Sequence, residues 1–474
     1  MILMARQPLN WSAPFTTLDE EIFYAKVSPS PLVNPRWVDV NELLLEEIGF
    51  CLDRENTRTL DAFSGGPPLE GWDPIAQVYS GHQFGQWAGR LGDGRGLYLG
   101  EFGGLEWHLK GAGKTPFSRF GDGRSVLRSA IREYLGSEYM HALGIRTTRA
   151  LTLVTSDTPV QRETLEQGAT LTRLARSHLR IGHFEHFYHQ NSHRALRELI
   201  EFSIMQLDDD LVGVPDRIEQ AFNRYIQRSA ELVAQWMAVG FVHGVMNTDN
   251  TALSGETLDY GPYGFLMACR DDYVINHTDQ TGRYAYGQQP RVMHWNLGCL
   301  AETLTPFVPI ETLRALLDTF PEKYRYYYRS EMATRLAIDP AHEELPNLLD
   351  ALKAYWSGDR MFYPELFAKL LDDSFEGLSR PSGDRSVFDM IRDRWSDMSE
   401  PSRIREARCK SPVWMLSHWL LDRVIQSAEA GDYSSIRAIR EAIHAGVNKR
   451  CEVATALGSS PPDPNSAYHL SCSS

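Results

Sequence analysis

Apolar positions in the first part of the chain recur at short, strand-like intervals broken by glycine and proline. Leu97–Leu99 and Trp107–Lys110 flank a Gly103-Gly104 pair, which predicts two strands joined by a tight turn. Further strands are predicted at Ala150–Thr155, Pro159–Thr164 and Ala169–Ala175, the first two separated by turn-forming residues.

A helical period of three to four residues appears once in this region and then dominates the rest of the chain. It predicts one helix over Ser125–Leu143, followed by helices over Arg194–Gln206 and Asp216–Val239. Thr251–Phe265 is interpreted as a hairpin, and helices are expected to dominate from Ala301 onward. The pattern predicts an α+β fold of the bilobal, protein-kinase-like type. Its β-rich N-lobe, with one key helix, covers residues 1–176, and its mainly helical C-lobe covers 177–474.

Composition and charge narrow the classes of function. The 474 residues are 42% hydrophobic and 23% charged, which is ordinary for a globular chain with a large core. A net charge of −14 argues against nucleic acid or anionic membrane as the main partner. No apolar run is long enough to span a bilayer, and the six widely spaced cysteines form no zinc motif. We therefore expect a cytoplasmic protein without a disulfide framework. We also expect it to be a monomer.

Five elements that serve phosphate chemistry follow one another in the order found in kinase-like folds. They are a Gly-rich segment with Gly92, Gly94 and Arg95, a strand lysine at Lys110, a helix glutamate at Glu133, a catalytic-loop-like segment His243–Asn250, and Asp259-Tyr260-Gly261 as a metal-binding Asp-x-Gly. Phosphate transfer requires cations for the phosphates, carboxylates for Mg²⁺ and a carboxylate base. Each element is common alone, and Lys110 with Glu133 would ordinarily be an ion pair without catalytic meaning. The order of all five favours a nucleotide site.

One position departs from the kinase pattern. Two residues after the loop histidine, where kinases have the aspartate base, this chain has Val245, which cannot accept a proton. The nearest carboxylate is Asp249, beside the predicted metal ligand Asn250. Two interpretations stay open at this point: a catalytically inactive nucleotide-binding scaffold, or a rearranged site in which Asp249 is the base.

Several long motifs resemble the selenoprotein O family over nearly the whole chain. They are Tyr79–Gly85, Leu91–Gly96, His108–Gly113, Gly121–Arg124, His178–Glu185 and His243–Asn250. The resemblance implies a pseudokinase fold that binds ATP in an inverted orientation and transfers AMP to Ser, Thr or Tyr hydroxyls of proteins. ATP is then the substrate, with Mg²⁺, or Mn²⁺ in its place, as the metal.

The resemblance also implies individual roles. Lys110 contacts phosphate and pairs with Glu133, Arg173 and Arg180 hold the terminal phosphates, and Asp249 is the general base. Asn250 and Asp259 hold the metal. The residues expected to line the nucleotide are Gly92, Gly94, Arg95, Asp122 and Gly123.

Two local features differ from the family. Met267–Asp272 replaces an acidic run, which leaves the shape of that loop open. Cys472 occupies the place where many eukaryotic relatives carry selenocysteine, and we hypothesise a reversible disulfide with another cysteine, Cys269 being the first candidate.

Alternative functions are a true kinase that moves the γ-phosphate, which the missing carboxylate at Val245 disfavours, and the inactive scaffold. A second open question is the histidine series His183, His186 and His189, spaced every three residues. Interleaved aromatic residues favour interior packing of hydrogen-bonded imidazoles over a metal site.

Overall fold

A computed structural model describes residues 11–267, 269–359, 363–371, 385–449 and 451–456. The chain divides into two compact units, each made of three segments. The first unit comprises the described residues up to Ser137 together with Thr147–Ala221 and Asn247–Leu258. The second comprises Glu138–Arg146, Phe222–Met246 and the described residues from Asp259 onward.

The first unit is built on an antiparallel sheet. Over both units, the strands of the described residues are β1 Tyr24–Lys26, β2 Arg36–Val40, β3 Ile75–Gln77, β4 His82–Gln83, β5 Gln86–Trp87, β6 Gly96–Phe102, β7 Leu105–Lys110, β8 Ser125–Val126, β9 Arg149–Gln161, β10 Leu165–Ala175, β11 Phe241–Val242 and β12 Gly264–Phe265. The last two, β11 and β12, belong to the second unit. Eight of them form one sheet in the order β1-β3-β6-β7-β10-β9-β2, with β8 paired to β10. The central strands β6, β7, β9 and β10 are almost wholly buried where they pair, which explains their near-continuous apolar sequences.

Helices make up most of the second unit. The α-helices of the described residues are α1 Glu20–Phe23, α2 Glu42–Ile48, α3 Thr57–Phe63, α4 Leu127–Ala142, α5 Ile181–His189, α6 His193–Leu207, α7 Arg217–Val239, α8 Gln289–Leu304, α9 Ile310–Leu317, α10 Phe320–Arg335, α11 Leu345–Asp359, α12 Tyr363–Leu371, α13 Arg385–Met398, α14 Ile404–Lys410, α15 His418–Glu429, α16 Ser434–Ala445 and α17 Glu452–Ala456. Among these described segments, none has a helix both long and apolar enough to cross a membrane.

Aromatic side chains fill the core of each unit. In the first, the Trp11 ring lies 5.0 Å from that of Trp107 and 6.0 Å from that of Trp72. In the second, Tyr139 packs edge-on against Trp414, with ring centroids 5.3 Å apart, and its hydroxyl donates to the Trp414 carbonyl. Buried rings of this size supply much of the apolar burial that stabilises each unit.

Most of the elements predicted from periodicity are confirmed. β6 and β7 form the predicted hairpin, and Gly103 and Gly104 both have positive φ, as a two-residue turn between twisted strands requires. The predicted helix over Ser125–Leu143 is α4, except that Ser125–Val126 pair with β10 as a short strand. The helices expected beyond Ala301 are present throughout the described part of that region.

Two predicted elements are wrong. The strand expected at Pro159–Thr164 is not separate, because β9 continues through Gln161 and turns directly into β10. Thr251–Phe265 is not a hairpin, because Gly264–Phe265 pairs with Phe241–Val242 instead. The mixture of helices with an antiparallel sheet agrees with the α+β prediction. The bilobal kinase arrangement and the boundary between 176 and 177 stay predictions.

Candidate active site

Lys110 and Arg173 project from neighbouring strands of the main sheet. In the β7–β10 register, Lys110 faces Leu171 and Arg173 faces His108. Because side chains alternate across a strand, the two basic residues are diagonal neighbours on one face of the sheet. Glu133, on helix α4, lies beside these two residues and accepts a hydrogen bond from Lys110. The strand lysine and the helix glutamate therefore pair as predicted.

Glu133 bridges both cations. Its Oε2 lies 2.5 Å from Lys110 Nζ, and its Oε1 lies 3.1 Å from Arg173 Nη1. The three residues are at most 8% exposed. Within this triad two cations share one carboxylate in a buried setting, where electrostatic interactions are strong.

The Gly-rich segment runs against Phe117. Gly92 has φ +117°, and a Cβ there would lie 2.5 Å from Phe117 Cγ. A Cβ on Gly94 would lie 3.1 Å from the Phe117 carbonyl oxygen. The Arg95 carbonyl accepts a hydrogen bond from Gly111 N at 2.6 Å, while Arg95 itself is exposed. Glycine is therefore required at Gly92 for a conformation and a close approach that a side chain would prevent.

Asp122 and Gly123 lie in a loop held by Arg162, an arginine that no motif in the sequence singled out. Arg162 donates to both Asp122 oxygens, at 2.8 and 3.1 Å. Burial by itself would raise the pKa of Asp122, but the Arg162 guanidinium and neighbouring N–H groups lower it below its usual value. Gly123 has φ +71°, and a Cβ there would lie 2.1 Å from the Gly113 carbonyl oxygen. The loop conformation thus depends on the glycine.

Arg180 contacts the segment that carries the predicted base. Its Nη1 donates to the Asp249 carbonyl oxygen at 2.7 Å, and its guanidinium lies 4.9 Å from the centre of the Tyr79 ring. Arg180 is 3% exposed. A planar cation stacked on an aromatic ring and bonded to a carbonyl holds the backbone of the Asp249 segment in place.

Asp249 and Asn250 occupy a single turn of 3-10 helix, Thr248–Asn250. The turn closes through a 3.0 Å hydrogen bond from Asn250 N to the Asn247 carbonyl. Asp249 is 8% exposed and one of its carboxylate oxygens, Oδ2, accepts from Gln83 Nε2 at 3.0 Å. Asp249 is therefore a buried carboxylate that is held at one oxygen by the Gln83 amide.

Asp259 belongs to the second unit, with His243 and Val245. The backbone of Asp259 has φ +61°, uncommon outside glycine, and its carbonyl accepts from Gly261 N at 3.0 Å. His243 N donates to Gln289 Oε1 at 2.9 Å, and His243 Nδ1 accepts from Val245 N at 3.4 Å. These contacts shape the start of the loop, but the apolar Val245 offers no proton acceptor.

The histidine series lies on α5. His183 Nδ1 accepts from Arg180 N at 3.0 Å and its Nε2 lies 3.1 Å from Gln77 Oε1, while His186 Nδ1 lies 2.8 Å from Ser80 Oγ. Interior packing is therefore confirmed for these two residues. It is wrong for His189, which is exposed. Burial, assisted by Arg180, lowers the pKa of His183 to about 3.

A separate cleft of about 730 Å³ lies in the second unit and contains none of the predicted site residues. It is lined by Asp271, Asp272, Val274, Asn276, His277, Asp279, Gln280, Thr281, Gly282, Ala285 and Gln288. The predicted partner Cys269 is buried, and Cys472 lies outside the described residues, so the disulfide stays a hypothesis.

The chain matches the model of a known protein family along most of its length. The family is described as "Protein adenylyltransferase SelO", and the match spans residues 7–441 of the 474. Every predicted site residue, from Gly92 to Asp259, lies within this span.

Proposed function

The chain belongs to the SelO family of protein adenylyltransferases, and from this premise we propose that Asp249 is the general base of the reaction. The family assignment makes the protein an enzyme that transfers AMP from ATP to proteins, and so decides against the γ-phosphate kinase and the inactive scaffold. The roles of individual residues are proposals from their contacts and charges.

The observation that supports the proposal best is the ion triad of Lys110, Glu133 and Arg173. A glutamate shared by two buried cations fixes the positions of both cations. We assign Lys110 and Arg173 to the ATP phosphates, since transfer of a phosphorus centre depends on positioning and on neutralising charge that develops on the oxygens. Arg180 joins them as the third cation in this assignment, with Gly92, Gly94, Arg95, Asp122 and Gly123 around the nucleotide.

In the proposed reaction, a Ser, Thr or Tyr hydroxyl of a protein substrate attacks the α-phosphorus of ATP. The hydroxyl proton passes to the Asp249 carboxylate, a new oxygen–phosphorus bond forms, and the bond to pyrophosphate breaks. The electron pair of the broken bond leaves with pyrophosphate. Val245, at the place of the kinase base, has no atom that can take the proton, whereas Asp249 is a buried carboxylate already held by its neighbours.

Asn250 and Asp259 are the residues we propose as metal ligands. An amide oxygen and a carboxylate oxygen are hard donors, which suit Mg²⁺ and, on the same set, Mn²⁺. When bound, the metal would neutralise phosphate charge. Cytoplasmic residence and a monomeric state remain predictions.

The proposal is tested by incubating the protein with ATP labelled separately at the α- or the γ-phosphate, with Asp249→Ala alongside. Protein-bound label is the readout. We expect label from the α-phosphate only, and its loss in Asp249→Ala with ATP binding retained. Full AMP transfer by Asp249→Ala would overturn the assignment of the base.

A further inference from the structure

The hairpin formed by β4 and β5 contains none of the residues assigned to the reaction. Its two-residue turn is Phe84-Gly85, with φ +51° and +79°. Positive φ at both central positions is typical of the tight turn that suits twisted strands, but Phe84 is not glycine and adopts this conformation at an energetic cost. Phe84 keeps this strained backbone conformation because the residues around it hold it there, and strained residues of this kind cluster at functional sites.

Three consecutive hairpin residues contact three consecutive residues of the catalytic loop. The contacts are His82 N to Thr248 Oγ1 at 2.7 Å, Gln83 Nε2 to Asp249 Oδ2 at 3.0 Å, and Phe84 N to Asn247 Oδ1 at 3.2 Å. In each of them the hairpin donates and the loop accepts. The hairpin therefore holds the loop at Asp249 and at the two residues that precede it.

A buried carboxylate, Glu185, contacts both the hairpin and the loop. Its Oε1 lies 2.5 Å from His82 Nδ1, and its Oε2 accepts the hydroxyl proton of Thr248. Glu185 is 1% exposed, so its charge must be matched by such partners. Since the Thr248 hydroxyl donates to Glu185, its lone pair is directed to His82 N, and the direction of each hydrogen bond is defined.

The segment just before the hairpin, Ser80-Gly81, lies so close to the loop and to helix α5 that two glycines are needed, Gly81 and Gly182. A Cβ on Gly81 would lie 2.9 Å from Thr248 Oγ1 and 3.2 Å from Asp249 N. A Cβ on Gly182 would lie 2.2 Å from the Ser80 carbonyl oxygen and 3.4 Å from Asp249 Cα. Backbone packing of this kind limits how far the Asp249 segment can move.

We propose that Gln83 is a positioning residue for Asp249, a role that rests on the proposed function of Asp249 as the base. An ionised carboxylate only accepts hydrogen bonds, so the Gln83 amide must present its NH₂ group to Oδ2. This bond fixes the rotation of the carboxylate before the substrate hydroxyl arrives. Because small misplacements of a reacting group are costly, loss of the bond should lower kcat by about 10- to 100-fold.

The experiment compares Gln83→Met, which keeps the size and removes the donor, with Gln83→Glu, which places a second carboxylate against Asp249. Gln86→Ala is the matched control, because Gln86 lies opposite Gln83 in the same hairpin and is exposed. The readouts are kcat and KM for transfer of α-labelled AMP, the Kd for ATP and the thermal unfolding midpoint. We expect both Gln83 variants to lose kcat, Gln83→Glu more, with Kd and unfolding midpoint close to wild type. Wild-type kcat in Gln83→Met, or a loss matched by weaker ATP binding or a lower unfolding midpoint, would overturn the inference.

The Asp249→Ala background separates the two proposals. If Gln83 acts through Asp249, adding Gln83→Met to Asp249→Ala causes no further loss of the residual rate, whereas independent effects would multiply. If Asp249→Ala is inactive but Gln83→Met has wild-type kcat, the assignment of Asp249 as the base stands and only the positioning role of Gln83 is wrong. If Asp249→Ala keeps full activity, the proposed base fails first and the positioning role fails with it.

Discussion

Lys110 Nζ lies 2.5 Å from Glu133 Oε2, and both side chains are buried. The pair joins a strand to a helix, and the second oxygen of Glu133 also holds Arg173. The carboxylate therefore orients two cations at once.

Replacing Lys110 with alanine should lower AMP transfer by about 10²- to 10³-fold, the usual cost of one lost group that stabilises charge in a transition state. Initial rates with α-labelled ATP measure the effect. Lys114→Ala is the matched control, since Lys114 is an exposed lysine four residues away and should keep wild-type rates. Equal losses in the two variants would contradict a specific role for Lys110.

Glu133→Ala should destabilise the protein, because it leaves two buried cations without their shared carboxylate. Breaking a buried ion pair from one side typically costs about 3–5 kcal/mol of unfolding free energy. Chemical denaturation of both proteins measures the difference. We expect addition of ATP to recover part of it, as the phosphates would supply the missing negative charge. A stability equal to that of wild type would contradict the buried triad.

Gly123→Ala should weaken ATP binding and lower the unfolding midpoint, because its Cβ would lie 2.1 Å from the Gly113 carbonyl oxygen. Gly89→Ala is the control: Gly89 has the same φ of +71°, but a Cβ there meets nothing within 4 Å. Both substitutions place alanine at the same positive φ, so they cause the same backbone strain. The difference between the two variants therefore measures the effect of the close contact with Gly113. Similar unfolding midpoints and similar ATP Kd values would show that the close approach is unimportant.

Acid should destabilise the protein in part through His183. Burial, with help from Arg180, lowers its folded-state pKa to about 3, against an ordinary value of 6.5. Between these values the unfolded chain binds a proton that the folded chain does not, so stability falls as pH falls below 6.5. One such proton contributes a slope of up to about 1.4 kcal/mol per pH unit.

His183→Gln should show a shallower decline of unfolding free energy between pH 6 and 4 than wild type, whatever its stability at neutral pH. Denaturation curves at several pH values measure the slope. His189→Gln, on the same helix but at an exposed position, tests whether any change in α5 has this effect. An unchanged slope in His183→Gln would contradict a neutral buried imidazole.

Removal of divalent metal should abolish transfer, and Asp259→Asn should raise the Mg²⁺ concentration for half-maximal rate by about tenfold or more, because a ligand loses its charge. Titration of Mg²⁺ into metal-free protein gives both results. Asp272→Asn serves as the control, since Asp272 is exposed and paired with Arg270. Full activity of the metal-free protein would contradict the metal site.

The sequence alone was sufficient for elements whose pattern is local. The β6–β7 hairpin was predicted from two apolar runs around Gly103-Gly104, and α4 from a helical period, because backbone conformation and one buried face are encoded within a few residues. The chain order of Lys110, Glu133 and Asp259 likewise indicated phosphate chemistry before any distance was known.

Only the tertiary structure decided which distant residues meet. Gln83 and Asp249 are 166 positions apart, and nothing in the local pattern around either indicates a bond between them. The predicted hairpin at Thr251–Phe265 was wrong for the same reason: the pairing of Gly264–Phe265 with Phe241–Val242 is a contact between segments that the local pattern does not indicate. Periodicity reports which face of an element is buried, whereas the contact made by that face depends on the packing of the whole unit.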